Sequence, residues 1–242
     1  MATYNGARYV GEQIASILPQ LAPDDELVIV DDASMDSTVE ALHAIEDRRV
    51  RVRARTENLG YVRTFEEALR LAAGDVLLLS DQDDVWTENH VAVLVEALED
   101  ADVAATNLAT LGGPGTIQGP YGQRDWRLTR AQSSNRAGNL LGTLAGNRPY
   151  YGCAMGVRAS ALRAGLVPFP AFLHESHDLW IALYGNTLGT IRHCEERTVL
   201  RRFHEANETP NRPRGPLTAV GSRILLLRCL RVLRERGRLM AR

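Results

Sequence analysis

The residues Ser80-Asp81-Gln82-Asp83-Asp84 follow directly on an apolar run, Val76 to Leu79. In an open parallel sheet, ligands bind beyond the carboxyl ends of strands, so three carboxylates here stand at the ligand edge. Their mutual repulsion favours a bound cation. One or two carboxylates, completed by phosphate oxygens and water, describe a Mg²⁺ or Mn²⁺ diphosphate site. The same residues also describe a solvated acidic turn capping the helix after Trp86, although a place behind a buried strand favours the cation. A second acidic turn, Val30-Asp31-Asp32-Ala33-Ser34-Met35-Asp36-Ser37-Thr38, likewise leaves a strand and enters a helix. One Asp at that edge can accept hydrogen bonds from a base or ribose. Helix capping accounts for Asp36 but not for the adjacent pair Asp31 and Asp32.

In the second half, His174 and His177 flank Glu175 and Asp178 in HESHD. Two histidines three apart do not form the i, i+4 pair of a helical zinc site, so zinc is disfavoured. Asp178 can act as a general base or cap the helix that runs through Trp180 to Leu188, and the residues alone favour the cap. Trp86 and Trp180 can stack on a sugar, although core packing is the commoner use of a tryptophan. Cys153 reads as a small buried apolar residue.

These residues need a scaffold, and the hydrophobic pattern supplies one. Branched apolar blocks at residues 26–30, 50–53, 75–79 and 102–105 read as strands, and helical periodicity separates them at 9–18, 38–45, 62–71 and 90–98. That alternation predicts an α/β fold with a mainly parallel central sheet flanked by helices. The first strand should precede the turn at Asn5 and Gly6 and looks truncated. Residues 111–123, LGGPGTIQGPYGQ, predict a flexible excursion. Beyond it lie an expected strand at 151–157, a helix at 178–188, a strand at 198–203 and a polar stretch up to Pro216.

The chain has 242 residues, 45% hydrophobic and 24% charged, with no apolar run long enough to span a membrane and no signal peptide. A cytoplasmic location is therefore expected. Three cysteines without CxxC spacing favour neither a disulfide framework nor a metal knuckle. All 28 basic residues are Arg, which excludes a lysine Schiff base, a Walker P-loop and the lysine-dependent phospho-acceptor pocket of receiver domains. The net charge of -2 conceals an acidic body and a tail, residues 201–242, in which 11 Arg face three Glu.

Taken in order, ATYNG (2–6), VDDASMDST, ENLGYVRTFEEAL, GDVLLLSDQDDVW, YGCAMGVR (151–158), HDLW (177–180) and RRFHEAN (201–207) resemble the family-2 inverting glycosyltransferases. Within that group, the SDQDDVW and HDLW wording is most similar to bacterial rhamnosyltransferase-like enzymes of surface polysaccharide synthesis. The resemblance implies the GT-A nucleotide-sugar fold. It implies that Ala2, Tyr4, Asp32, Asn58, Gly60 and Asp81 contact the nucleotide, and that Asp83 with Asp81 holds Mg²⁺ or Mn²⁺. Asp84 is implied as a third carboxylate, Asp178 as the catalytic base, and Arg202 with His204 as a diphosphate or closing loop. Gly152, Cys153, His177 and Trp180 are implied on the acceptor side. Arg201 departs from the pattern, which has Tyr there.

The implied halves are 1–110 for the nucleotide sugar and 111–217 for acceptor and catalysis, with 218–242 as a basic amphipathic helix. The implied partners are a nucleotide-diphosphate sugar, with dTDP-rhamnose as one candidate, and a glycan or lipid-linked acceptor. A catalytically weak nucleotide-sugar-binding subunit is the alternative. Residues 221–242 fit either a peripheral contact with an anionic membrane or packing on protein. Nucleic acid is disfavoured, because no aromatic interleaves with these arginines.

Overall fold

Leu27-Val28-Ile29-Val30-Asp31 is apolar on both faces and wholly buried, as a strand covered by helices on both sides must be. In the computed structural model, which describes residues 1–203 and 216–241, this segment is β2. It lies between β1 (Ala2–Thr3) and β3 (Val50–Ala54), and all three strands are parallel. Helices α1 (Val10–Ile17), α2 (Thr38–His43) and α3 (Tyr61–Leu71) alternate with these strands. The Ala2 amide donates to the Ser80 carbonyl at 3.4 Å. That bond sets the first strand beside β4 (Val76–Leu78) and brings both acidic turns to one edge.

The second sheet runs β4-β7-β6-β8-β5, with β5 at Val85–Trp86, β6 at Val103–Thr110, β7 at Met155–Arg158 and β8 at Ile191–Arg201. It is mixed: β6 and β8 are parallel, whereas β4–β7, β6–β7 and β5–β8 are antiparallel. The chain leaves β6 at the ligand edge, passes through the 111–135 excursion and α5 (Arg136–Ala145), and re-enters from that same edge. β7 can therefore only run back against its neighbours. Neither β5 nor α5 was evident in the hydrophobic pattern. β8 starts seven residues before the expected strand, where a polar, irregular stretch pairs with β6 across a register shift at Asn107. The Asn107 side chain bridges that irregularity, donating to the carbonyls of Leu128 and Cys194 and accepting from the Leu128 amide.

Helix α4 (His90–Ala97) covers one face of this sheet, while a short helical turn, α6 (Ala159–Ala161), and α7 (His177–Thr187) lie in the second half. The last helix, α8 (Pro216–Met240), buries Leu226, Cys229, Leu230 and Leu233 in the main core, which also contains Trp180, Leu166 and Met155. Arg236 fastens it, donating to the carbonyls of Gly165 and Pro168 at 2.5 Å each and lying 5.1 Å over the Trp180 ring. The apolar side of the basic tail thus packs on its own domain. Its outward side carries Val220, Ile224 and Leu227 together with Arg228, Arg231, Arg234 and Arg238. Among the described residues no helix is long and apolar enough to cross a membrane.

Because Leu233 is fully buried in that core, Leu233→Ala should reduce the free energy of unfolding by about 2–5 kcal/mol. Urea titration followed by circular dichroism measures this, and a loss under ~1 kcal/mol would mean that α8 is not part of the core.

Candidate nucleotide and metal site

The loop after β1 is laced to the loop after β2. The amides of Asn5, Gly6 and Ala7 donate to Ser34 Oγ, Thr38 Oγ1 and an Asp36 carboxylate oxygen at 2.8, 2.8 and 3.2 Å. In return, Asn5 Oδ1 accepts from the Met35 amide. The hydroxyls and carboxylates of VDDASMDST therefore serve chiefly as supports for backbone. Ser37 rather than Asp36 is the N-cap of α2 and makes no side-chain bond there; from one position earlier Asp36 accepts from the Thr38 amide at 3.0 Å and from the Thr38 hydroxyl. Asp31 is buried and accepts from Thr3 Oγ1, the Ser34 amide and Ser34 Oγ at 2.6–2.9 Å, which accounts for the first carboxylate of the pair.

Asp32 has a different task. It is buried and forms an ion pair with Arg55 at 2.9 Å, and it accepts from the amides of Leu59 and Gly60 at 2.9 and 2.8 Å. A buried carboxylate requires such compensation. Asp32 thereby shapes the Asn58–Gly60 loop; Asn58 Oδ1 also accepts from the Gly60 amide, and Gly60 adopts φ +83°, open without strain only to glycine. Tyr4 is exposed beside this loop system and Ala2 is half-buried in β1. Gln82, the central residue of Asp81-Gln82-Asp83, was missed by the motif reading. Its side-chain amide accepts from the Tyr4 amide at 2.8 Å and donates to the Tyr4 carbonyl at 2.9 Å, so it joins the two loops as a strand would. A Cβ on Gly6 would fall 2.1 Å from Gln82 Oε1, so a side chain there would push the Gln82 amide off Tyr4.

The acid loop brings Asp81 and Asp84 together with Cys153, one ligand atom of each lying within 4.8 Å of the others. Asp83 stands outside this trio, half-buried, although its charge reaches both carboxylates. Burial, then the charges of Asp84 and Asp83, push the Asp81 carboxyl well above the usual range. Burial and Asp83 push Asp84 up to about 6. Burial also raises the Cys153 thiol well above its ordinary value, so it stays protonated and donates to Asp84. Hard carboxylate oxygens suit Mg²⁺ or Mn²⁺ and a protonated thiol does not, so the donors that fit such a cation are Asp81 and Asp84, with Asp83 adjoining.

Two charged residues from the end of β8 complete the edge. The Arg202 amide donates to Asp84 at 3.2 Å, its Nε donates to the Asp83 carbonyl at 3.1 Å, and its guanidinium pairs with Glu12 and lies 5.1 Å over Tyr9. Arg201 turns toward the carboxylates instead, its guanidinium 5.4 Å over the Tyr151 ring and 5.5 Å over the Phe203 ring. Its charge lowers the pKa of both Asp81 and Asp84. His204 lies outside the described residues.

Asp178 stands in the first turn of α7, and its charge is felt at Asp81 and at Tyr151. It is not the N-cap; Ser176 holds that place, at φ +61°. Helix α3 holds this turn in position. Tyr61 Oη accepts from the Ser176 amide at 3.0 Å, and Arg63 donates to the carbonyls of Phe169, Pro170 and Leu173 at 3.2, 2.6 and 3.0 Å. Asn5, Ala33 and Ser176 are non-glycine residues with positive φ, and each lies in a loop of this edge, where backbone strain concentrates in functional sites.

Two residues assigned to the acceptor side face the core. Trp180 is fully buried, with Nε1 donating to the Leu166 carbonyl at 3.0 Å, and cannot stack on a sugar. His177 is buried and stacked on Phe65 at 4.2 Å, and neither ring nitrogen has a hydrogen-bond partner. Burial lowers its pKa to about 3, so it is neutral. Consecutive residues of a helix leave it about 100° apart, so His177 can be buried in the core while its neighbour Asp178 stays half-buried, its charge felt at Asp81 and Tyr151. Gly152 lies directly behind the His177 ring, where a Cβ would come 2.5 Å from Nε2.

Comparison with known proteins identifies the family and the fold. The family model described as glycosyl transferase family 2 matches residues 1–164. An Escherichia coli protein named UDP-Glc:alpha-D-GlcNAc-diphosphoundecaprenol beta-1,3-glucosyltransferase WfgD is 26% identical over 98 residues, 40% of this chain and 39% of that protein. Among solved structures, TarS 1–349 of S. aureus in complex with UDP-GlcNAc superposes with a TM-score of 0.71 at 18% identity, covering 94% of this chain and 64% of that one. The mannosyltransferase PcManGT of Pyrobaculum calidifontis, in complex with GDP-Man and Mn²⁺, gives 0.61 at 18% identity over 97% and 72%. These structural likenesses show the fold, the GT-A arrangement implied by the motifs. The chain spans about a third to two-fifths of the length of the curated relatives it matches. With the family model covering well over half of it, the chain belongs to glycosyl transferase family 2.

Proposed function

We propose that the chain transfers a sugar from a nucleotide-diphosphate donor to a glycan or lipid-linked acceptor, inverting the anomeric centre. The observation that supports this reading is that Asp178, in the first turn of α7 and far from the acid loop in sequence, lies near enough for its charge to be felt at Asp81. Asp178 would take the acceptor hydroxyl proton as that oxygen attacks the anomeric carbon, while the bond to the diphosphate breaks on the opposite face. Asp81 and Asp84, with Asp83, would hold Mg²⁺ or Mn²⁺, which when bound neutralises charge on the leaving nucleoside diphosphate. The Asp32-shaped loop and Tyr4 would receive the nucleoside. Residues 1–110 would thus serve the donor and 111–217 the acceptor. Rhamnose is the donor sugar favoured by the motif wording, and the WfgD name supports a lipid-linked acceptor. A lipid carrier also suits the outward side of α8, where three exposed apolar residues lie beside four arginines, the pairing that anionic bilayer surfaces attract.

In a screen of UDP-, GDP- and dTDP-sugars, including dTDP-rhamnose, at least one should raise the melting temperature with Mn²⁺. Asp178→Asn should keep that response and lose transfer by a factor of about 10² or more; full turnover in this variant would remove Asp178 as the base. The acid loop also predicts a pH dependence. Raised carboxyl pKa values stabilise the metal-free fold at low pH, and this contribution fades as pH rises from the unfolded value of 3.8 through about 6, where Asp84 ionises. Stabilisation by Mn²⁺ should therefore be larger at pH 7.5 than at pH 5 in thermal-shift measurements, and equal shifts would argue against a site on these carboxylates. Finally, the chain should co-sediment with vesicles containing phosphatidylglycerol at low salt, and Arg231→Glu, Arg234→Glu and Arg238→Glu together should abolish this without changing the circular dichroism spectrum.

A further inference from the structure

Arg201 and Arg202 are neighbours at the end of β8, yet the structure puts them to different uses. Arg202 is drawn into the scaffold: its amide holds Asp84, its Nε holds the Asp83 carbonyl, and its guanidinium is paired with Glu12 above the Tyr9 ring. Arg201 is half-buried, its carbonyl accepting from the Leu111 amide at 2.9 Å, and its guanidinium is held by π-contact with Tyr151 and Phe203, with no hydrogen bond or ion pair from the guanidinium to any described residue. Rings fix a guanidinium without using its N–H groups, whereas an acceptor such as the Glu12 carboxylate occupies them. Register places it at the acid loop, because Leu200 pairs with Val85, immediately after Asp84. Tyr151, under its guanidinium, immediately precedes Gly152 and Cys153, and the Cys153 thiol lies in the trio with Asp81 and Asp84. A fixed fork of N–H donors therefore stands beside the carboxylates that suit a divalent cation, an arrangement able to grip a planar or tetrahedral oxyanion.

We propose that Arg201 is the diphosphate-binding cation of this pocket, and that Arg202, which the family resemblance places in that role, is a structural tie between the acid loop and α1. This rests on the nucleotide-sugar reading of the site. As the bond from the anomeric carbon to the β-phosphate oxygen breaks, its electron pair passes to that oxygen, and Arg201 donates hydrogen bonds to the growing charge while remaining protonated. The acceptor proton goes to Asp178, so no further acid is required. In the donor-free protein the same guanidinium offsets the repulsion between Asp81 and Asp84, which links its two neighbours, cation and diphosphate, through one charge.

The test compares a nucleoside diphosphate with its monophosphate by calorimetric titration of the full chain in Mn²⁺, using whichever of UDP, GDP and dTDP binds the unsubstituted protein. Arg201→Gln should weaken diphosphate binding by about tenfold or more and monophosphate binding by no more than about twofold, as expected for loss of a charge-assisted contact to the second phosphate. Arg202→Gln should lower the melting temperature while leaving the ratio of the two affinities within about threefold, because it removes the contacts to Glu12 and the Asp83 carbonyl that tie the acid loop to α1. If Arg201→Gln does not fold, Arg201→Lys replaces it: a compact ammonium lacks the fork, so the ratio should still fall by about threefold or more. An unchanged ratio in the folded Arg201 variant, or a collapsed ratio in the Arg202 variant alone, overturns the assignment. An equal loss of both ligands in a folded Arg201 variant does the same. A folded unsubstituted protein that binds none of the three nucleotides instead overturns the nucleotide-sugar reading, and this inference with it.

Discussion

Carboxylates crowded at the ends of adjoining strands are the constraint around which this molecule is arranged. Asp31, Asp32, Asp81 and Asp84 stand at one sheet edge, and Asp31, Asp32 and Asp84 are almost wholly removed from solvent. Each is answered differently. Asp31 is surrounded by hydroxyls and an amide, and Asp32 by a guanidinium and two amides. Asp81 and Asp84 have less: a thiol and an amide on Asp84, and the charge of Arg201 nearby. Two unit charges within 4.8 Å of each other repel by about 3.5 kcal/mol or more at an effective dielectric near 20. Burial raises both pKa values first, the charges of Asp84 and Asp83 adding to it at Asp81 and that of Asp83 at Asp84, and together they make the edge receptive to a cation. The first two carboxylates are thus spent on building the loops, and the other pair is left poised.

Helix α3 turns that local electrostatics into a whole site. It begins at Gly60, in the loop that Asp32 shapes, and its Tyr61, Arg63 and Phe65 reach across to Ser176, the 169–173 carbonyls and His177. The support for the nucleoside loop and the support for the Asp178 turn are therefore the same helix, and a shift in one would be transmitted to the other through side chains packed in the core. On the other flank, α8 closes the core behind Trp180 and offers solvent its arginines. A residue that resembles a sugar platform by type, Trp180, is thereby reassigned to packing.

Much of this was legible in the chain itself. The βαβ order of the first hundred residues follows from branched apolar blocks, because a parallel strand buried on both faces must be continuously apolar, and β2, β3 and β4 fall within one or two residues of their expected places. The acidic turns were equally visible, since no core can absorb so many adjacent carboxylates. The second half was less readable. β5 is two residues long, β8 carries a polar stretch that becomes a strand only through its partner β6, and α5 lies in RAGNLLGTLA, a segment whose Gly and Asn residues are poor helix formers.

The sequence by itself determined which chemistry the molecule could perform: it supplied Asp178, the acidic loop, an Arg-only complement of cations and the motif order that marks the family. Composition and spacing are local properties, and they suffice for that. Only the tertiary structure decided which of two neighbouring residues meets the ligand edge. Asp84 rather than Asp83 gathers with Asp81 and Cys153, the Arg202 guanidinium pairs with Glu12 while that of Arg201 lies over Tyr151, and His177 is buried where Asp178 is half-buried. The reason is geometric. Adjacent side chains leave a strand or a helical turn in different directions, and which of them points inward depends on the register of pairing with a distant segment, such as β8 on β5 and β6, that no local pattern encodes.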